Sequence, residues 1–258
     1  MSKVNMLAVS VGNTRTCLGA FVEDQLVESA TLDNSRQNEL GDALEHAFSP
    51  LREKPGTVVL MSSVNPPIGQ AVEERIQKHL DRPVQRVEQD LTIPIGRQLD
   101  PEAIVGEDRL LNAAAAYDVL KQACVIIDAG TAITVDFVDG DGTFHGGAIA
   151  PGAQLMLDSL HRRAAQLPEV EFARPVDAIG HNTTEAMRAG VYFGLRGMVR
   201  ELVERYAEYG GSFPLVVATG GDSHLLFRDF DLVDRVVPDL TLMGLAVTLR
   251  VALDQAEA

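Results

Sequence analysis

Two short glycine turns, Ser10-Val11-Gly12-Asn13-Thr14 and Asp128-Ala129-Gly130-Thr131-Ala132, stand at matching places in the two halves of this chain. Each follows an apolar run, Val4 to Val9 in the first and Ala123 to Ile127 in the second. Each opens into a stretch rich in β-formers, Thr14 to Phe21 and Thr131 to Val138. The reading is strand, tight turn, strand, twice, which constrains the chain to a duplicated architecture. A glycine and threonine turn between strands exposes backbone N–H groups and a hydroxyl at one point, the chemistry that holds phosphate oxygens. Two such turns suit a nucleoside triphosphate held between two domains. They differ at the first residue, a serine in one and a carboxylate in the other.

The segments around the turns fill out this scheme. Strands are expected near 4–10, 15–22 and 26–31, then a helix near 37–47, a strand at 57–62 and a helix from about 67 to 80. Residues 91–100, with Pro94 and Gly96 among polar neighbours, read as loop. A helix over about 106–121 has Leu110, Leu111, Ala114 and Val119 available for an inward face. From Cys124 the same order returns: strand, hairpin, a third strand ending near Ile149, and Pro151 at a helix start, where its missing N–H costs nothing. A long helix is expected over 183–209, a strand at 215–218, a short helix at 223–227, and a last strand and helix within 232–254. The pattern is β-β-β-α-β-α, duplicated, an α/β chain with mixed sheets covered by helices. The boundary is expected near Lys121 to Ala123, giving domains 1–121 and 122–258.

Composition excludes several classes of function. With 46% hydrophobic and 23% charged residues in 258, the chain reads as a soluble globular protein of the cytoplasm. No stretch approaches the ~20 apolar residues of a membrane helix, and the apolar run after Lys3 is too short for a signal peptide. Cys17 and Cys124 lie in apolar strand-like segments, where reduced thiols are expected. A net charge of −15 without a basic stripe argues against a nucleic-acid partner, and Arg162-Arg163 reads as solvated helix surface. Without a secretory route, the Asn182-Thr183-Thr184 sequon carries no glycan.

Three segments carry candidate chemistry. Asp128 to Asp136 places a carboxylate, a glycine and two threonines around one turn; Asp128 is either a cation ligand beside a phosphate site or a turn residue bonding the next backbone amides. Gly106-Glu107-Asp108-Arg109 opens a helix with two acids in the dipole-favoured first turn. Arg109 is unfavourable there, which points to a ligand; Asp108 beside it suits a general base toward an acceptor hydroxyl. Thr219-Gly220-Gly221-Asp222 follows an apolar strand, and its amides either face a ligand or make a tight strand-to-helix turn. The six histidines show no metal-ligand spacing, and no P-loop, dinucleotide fingerprint or nucleophile elbow is present.

Taken in order, these elements resemble the type III pantothenate kinases, within the acetate kinase, sugar kinase, Hsp70 and actin superfamily. Gly12-Asn13-Thr14 is similar to the first phosphate turn, and Ser62-Ser63-Val64 with Pro66 to the segment after the fourth strand. Pro101 with Gly106 to Arg109 resembles the Pro and Gly-x-Asp-Arg element; Asp128 to Asp136 matches Asp-x-Gly-Thr-Ala-x-Thr-x-Asp. Gly146 to Gly152, Leu167-Pro168, Asn182-Thr183 and Thr219-Gly220-Gly221 are similar to later elements. The resemblance implies two duplicated ribonuclease H-like, actin-like ATPase domains and ATP-dependent phosphorylation of pantothenate, with Mg²⁺ and a monovalent cation, potassium or ammonium. Asp108 would be the base, Gly106, Glu107, Asp108, Arg109 and Thr183 would contact pantothenate, and Asp128 would bind the monovalent cation. Ser10, Val11, Gly12, Asn13, Thr14, Arg15, Thr131, Gly220 and Gly221 would contact ATP, and Thr183 would act across a homodimer interface.

The chain departs from the family at two places. Ser10 stands where the family begins its turn with aspartate, and a neutral hydroxyl binds Mg²⁺ far less strongly. Gln98 and Leu99 stand where a tyrosine is expected before the Asp-Pro pair. The first departure leaves open a nucleotide-binding relative with a regulatory or accessory role, and the second leaves open another small hydroxylated acceptor.

Overall fold

The structure, a computed structural model, describes residues 3–36 and 38–256. The first apolar run becomes β1 (Met6–Val11), which pairs antiparallel with β2 (Arg15–Val22) and parallel with β4 (Val58–Ser63). With β3 (Gln25–Asp33) and β5 (Val84–Arg86) the order is β3-β2-β1-β4-β5. Alternation along β1 and β2 sends Leu7, Val9, Val11, Leu18 and Ala20 to one face. There they pack on Leu40, Leu44 and Phe48 of α1 (Leu40–Phe48) and Val72 and Ile76 of α2 (Pro66–Leu80). Asn65 caps α2 by accepting from Ile68 N–H, ahead of Pro66 and Pro67 at the first turn. A 3₁₀ turn at Ser49–Leu51 follows α1.

The second half repeats the order. β7 (Cys124–Ala129) lies between β8 (Ala132–Val138), antiparallel, and β10 (Leu215–Thr219), parallel. With β9 (Thr143–Pro151) and β11 (Arg235–Val236) the order is β9-β8-β7-β10-β11, and β6 (Gly96–Arg97) adds to the outer edge of β9. Even the register slip recurs, between Ala20 and Phe21 in one sheet and Phe137 and Val138 in the other. α4 (Ala153–Arg163), α5 (Thr183–Gly210) and α6 (Ser223–Phe227) cover this sheet, burying Leu157, Val191, Leu195 and Phe227 against Val125, Ile127 and Val135.

Two further helices complete the fold, α3 (Glu107–Leu120) and α7 (Leu240–Ala256). Among the described residues contacts gather into two units: those up to Ile95, Asp100–Val119 and those from Asp239 to Ala256 form one, and Gly96–Leu99 with Leu120–Pro238 the other. α7 belongs to the first unit because it packs on β1, β2 and β4. α3 is tied to α7 by Thr241 Oγ1 donating to Asn112 Oδ1 at 2.8 Å and by Arg250 paired with Asp118 at 2.6 Å.

Three expectations need correction. Pro151 does not start a helix; it ends β9 opposite Ala132, and α4 begins at Ala153 after Gly152. Residues 91–100 are not wholly loop, since Gly96–Arg97 pairs with Thr143–Phe144. Val119 lies outside the inward face, 74% exposed in the last turn of α3, while Leu110, Leu111 and Ala114 are buried.

Both cysteines are free thiols, Cys17 half-exposed and Cys124 buried. Burial pushes the Cys124 thiol up to about 12, so it carries almost no reactive thiolate at neutral pH. A thiol reagent is therefore expected to label Cys17 in the folded protein and Cys124 only after denaturant is added. Peptide mass spectrometry checks this, and equal labelling rates would contradict the packing of β7.

Candidate functional site

Ser10 lies on the sheet face opposite the α1–α2 core, because its neighbours Val9 and Val11 face that core. Pairing runs Thr31 to Cys17, Cys17 to Ser10 and Ser10 to Ser62. A row of small neutral polar side chains therefore crosses four strands just behind the first turn. The turn itself is closed by Gly12 N–H donating to Arg15 C=O at 2.9 Å. Two asparagines absent from the sequence expectations hold it. Asn65, the α2 cap, donates from Nδ2 to Asn13 Oδ1 at 3.3 Å, and Asn34 after β3 bonds the carbonyls of Gly12 and Thr14. The only sequence signal for either is its type, since asparagine also serves ordinary caps and turns.

The same unit carries the start of α3. Glu107 accepts from the Ser63 N–H at the end of β4, 2.9 Å away, so its carboxylate ties the helix to the strand. Burial raises the Glu107 pKa, and the charges of Glu88 and Asp108 add to that, against the Ser63 bond and Arg86. Asp108 folds back over the helix start, with Oδ1 accepting from Arg109 N–H at 2.8 Å. A Cβ on Gly106 would stand 2.5 Å from that oxygen, so only glycine admits this pose. Burial is again the main cause raising the Asp108 pKa, opposed by the Arg109 N–H and guanidinium. The result is a carboxylate more basic than a solvated one.

In the second unit, Asp128 stands near the end of β7 opposite Thr219 of β10 and Thr134 of β8. Gly220 takes φ +91, and a Cβ there would lie 2.4 Å from Asp128 Oδ1. Asp222 N–H donates to Ala129 C=O at 2.9 Å, and Gly152 N–H to Thr131 C=O at 3.0 Å. Asp128, Gly130, Thr131, Gly152 and Gly220 are thereby brought together, with Gly221 exposed beside them. Asp136, from the same motif, is instead buried within β8 at 2% exposure. Thr183 sits exposed at the start of α5, whose cap Asn182 accepts from Glu185 N–H at 2.9 Å. Among the described residues no group of three or more His, Cys, Asp or Glu could hold a metal ion. What the second unit offers is one carboxylate in close contact with the Gly220 backbone, where a Cβ would clash with it and with the Ala129 carbonyl.

A family profile described as type III pantothenate kinase matches residues 6–205. A type III pantothenate kinase of Syntrophotalea carbinolica is 34% identical over 250 residues, covering 94% of this chain and 97% of its own length. Among solved structures, a Campylobacter jejuni protein described as a Baf family transcriptional activator superposes with a TM-score of 0.63 at 19% identity, covering 96% of this chain and 99% of its own. MreB5 of Spiroplasma citri bound to ADP gives 0.52 at 10% identity, covering 98% of both chains. At those identities the two structures speak to fold alone, and the fold is that of the actin-like ATPases with two mixed sheets flanked by helices.

The Asp108 environment sets a trade between stability and chemistry. Its folded pKa lies above its unfolded value, so its contribution to stability is full below the unfolded pKa and is lost as pH rises through the folded pKa. At pH 7 the ionised group is therefore a net cost. Asp108→Asn keeps an acceptor for the Arg109 N–H and removes the charge. It is expected to raise the thermal midpoint by about 2–4 °C for each kcal/mol relieved in a chain of this size. Thermal scans at pH 7 check this, and a lowered midpoint would contradict the burial argument.

Proposed function

This chain belongs to the type III pantothenate kinase family, and on that premise we propose that it transfers the γ-phosphoryl group of ATP to the primary hydroxyl of pantothenate. The products are ADP and 4'-phosphopantothenate, and the step opens the route to coenzyme A. The observation that carries the reading is the Asp108 carboxylate, folded back at the start of α3 and made more basic by burial. It takes the proton of the acceptor hydroxyl as that oxygen bonds to phosphorus and the bond to ADP breaks. Little covalent work remains for the protein, since phosphoryl transfer depends on positioning and on neutralising charge.

Gly106, Glu107, Asp108 and Arg109 form the pantothenate side, with the Arg109 guanidinium suited to the substrate carboxylate or to phosphate oxygens. Glu107 acts there through its hold on Ser63, which keeps the helix start in place. Ser10, Val11, Gly12, Asn13, Thr14 and Arg15 make one phosphate turn; Thr131, Gly220 and Gly221 belong to the other. Mg²⁺ enters with ATP as substrate, bound chiefly by phosphates, which agrees with the neutral row around Ser10. Asp128, against the Gly220 turn, would be the carboxylate for a potassium or ammonium ion, which would supply positive charge beside the phosphates. Thr183, exposed at the start of α5, reaches pantothenate across the interface of a homodimer. The cytoplasm supplies ATP and keeps both thiols reduced.

Purified protein with ATP, Mg²⁺, potassium and pantothenate is expected to yield phosphopantothenate by mass spectrometry; no product at high enzyme concentration would overturn the reading. Asp108→Asn is expected to lower kcat by about 10²- to 10⁴-fold. On the acid side, kcat/KM is expected to fall at a pH above the ~3.9 of an unperturbed aspartate, because the base must be ionised. Replacing potassium by tetramethylammonium is expected to slow the wild type and to leave Asp128→Ala unchanged.

A further inference from the structure

We infer that Asn34, the residue following β3, is a positioning residue for the first phosphate turn, an inference that rests on reading that turn as an ATP-binding element. Three hydrogen bonds converge on it. Its backbone N–H donates to Thr14 C=O at 2.8 Å, its Nδ2 donates to Gly12 C=O at 2.9 Å, and its Oδ1 accepts from Thr16 Oγ1 at 2.7 Å. The carbonyl of Gly12 can only accept, so the amide group facing it must be the NH₂, and the orientation of Asn34 is settled by chemistry. Thr16 is 2% exposed, which keeps water from competing for the opposite end of the side chain.

The consequence follows from peptide geometry. In a tight turn the Gly12 carbonyl would accept from the Arg15 N–H three residues on. Here Asn34 takes that carbonyl from the β3 side. The peptide is planar and trans, so the Asn13 N–H, which shares the plane of Gly12 C=O, points away from Asn34. The Arg15 N–H is turned away in the same manner by the bond on Thr14 C=O. Asn34 thus fixes the direction of an amide that the phosphate reading requires, without facing the ligand itself. Its own location is fixed too, because Asp33 Oδ1 accepts from both Ser35 N–H at 2.8 Å and Ser35 Oγ at 2.6 Å, bending the chain at this point.

Asn34→Asp is nearly isosteric, keeps the acceptor for Thr16 and the backbone bond to Thr14, and sets a carboxylate oxygen against the Gly12 carbonyl. ATP titrations by calorimetry, with KM measured for both substrates, are expected to show ATP binding weakened roughly tenfold or more. The KM for pantothenate is expected to stay within about twofold, in keeping with a loss confined to one hydrogen-bonded contact. Thr16→Val, which frees the amide end, should shift ATP binding in the same direction by less, whereas Thr16→Ser should restore it. Asn34→Ala serves if the aspartate variant does not fold. Unchanged ATP binding in the Asn34 variants, or equal loss for both substrates together with a lowered thermal midpoint, would overturn the inference. Gly12→Val and Thr14→Ala separate the two failures: if neither disturbs ATP binding, the phosphate reading of the turn has failed and this inference falls with it.

Discussion

The structure depends on parallel pairing of a central strand in each sheet, β1 with β4 and β7 with β10. Parallel neighbours require a crossover, so the chain leaves each pair over helices and returns with both strand ends at the same edge. That constraint puts the first turn beside Ser63 and Asn65, and the second beside Gly220 and Asp222. Residues far apart in sequence meet because two strands must finish together. Ligands of open α/β sheets gather at such carboxyl ends for the same reason.

Close approach then decides which residue types those ends can carry. Gly220 lets the β10 turn lie against Asp128, where a Cβ would stand 2.4 Å from the carboxylate. Gly106 allows Asp108 to fold back over its own helix start. In both cases the missing side chain brings a carboxylate close to another part of the chain, and at Asp108 burial then makes that carboxylate more basic. Packing, more than any single bond, tunes the chemistry here.

Much of this was legible in the residues themselves. Strand-turn-strand units at Val4 to Phe21 and Cys124 to Val138 announce the duplication, since alternation and glycine turns are local signals. The structure departs where tertiary contacts overrule local ones. Pro151 has the look of a helix start but ends an edge-paired strand, and Gly96–Arg97 becomes a strand only because β9 offers it an open edge. The bonds that Glu107 and Asn34 make were opaque for a different reason. One bonds the backbone of residue 63 and the other the backbone of residue 12, and side-chain bonds to distant backbone leave no spacing to read.

The placement of charge follows from what the site must bind. A chain of net charge −15 that takes an anionic nucleotide pays in repulsion for each ionised carboxylate near the phosphates. The row Thr31, Cys17, Ser10 and Ser62 holds none. Burial raises the pKa of Glu107 and of Asp108, which makes each ionised carboxylate a stronger proton acceptor than a solvated one. In the second unit Asp128, half-buried against Gly220, would under the proposed reading have its charge offset by a bound cation. Within the first unit Ser10 fits the proposed reading: where phosphates carry most of a metal's coordination, a neutral hydroxyl removes one repulsion, and Asp108 would be the group on which proton transfer turns.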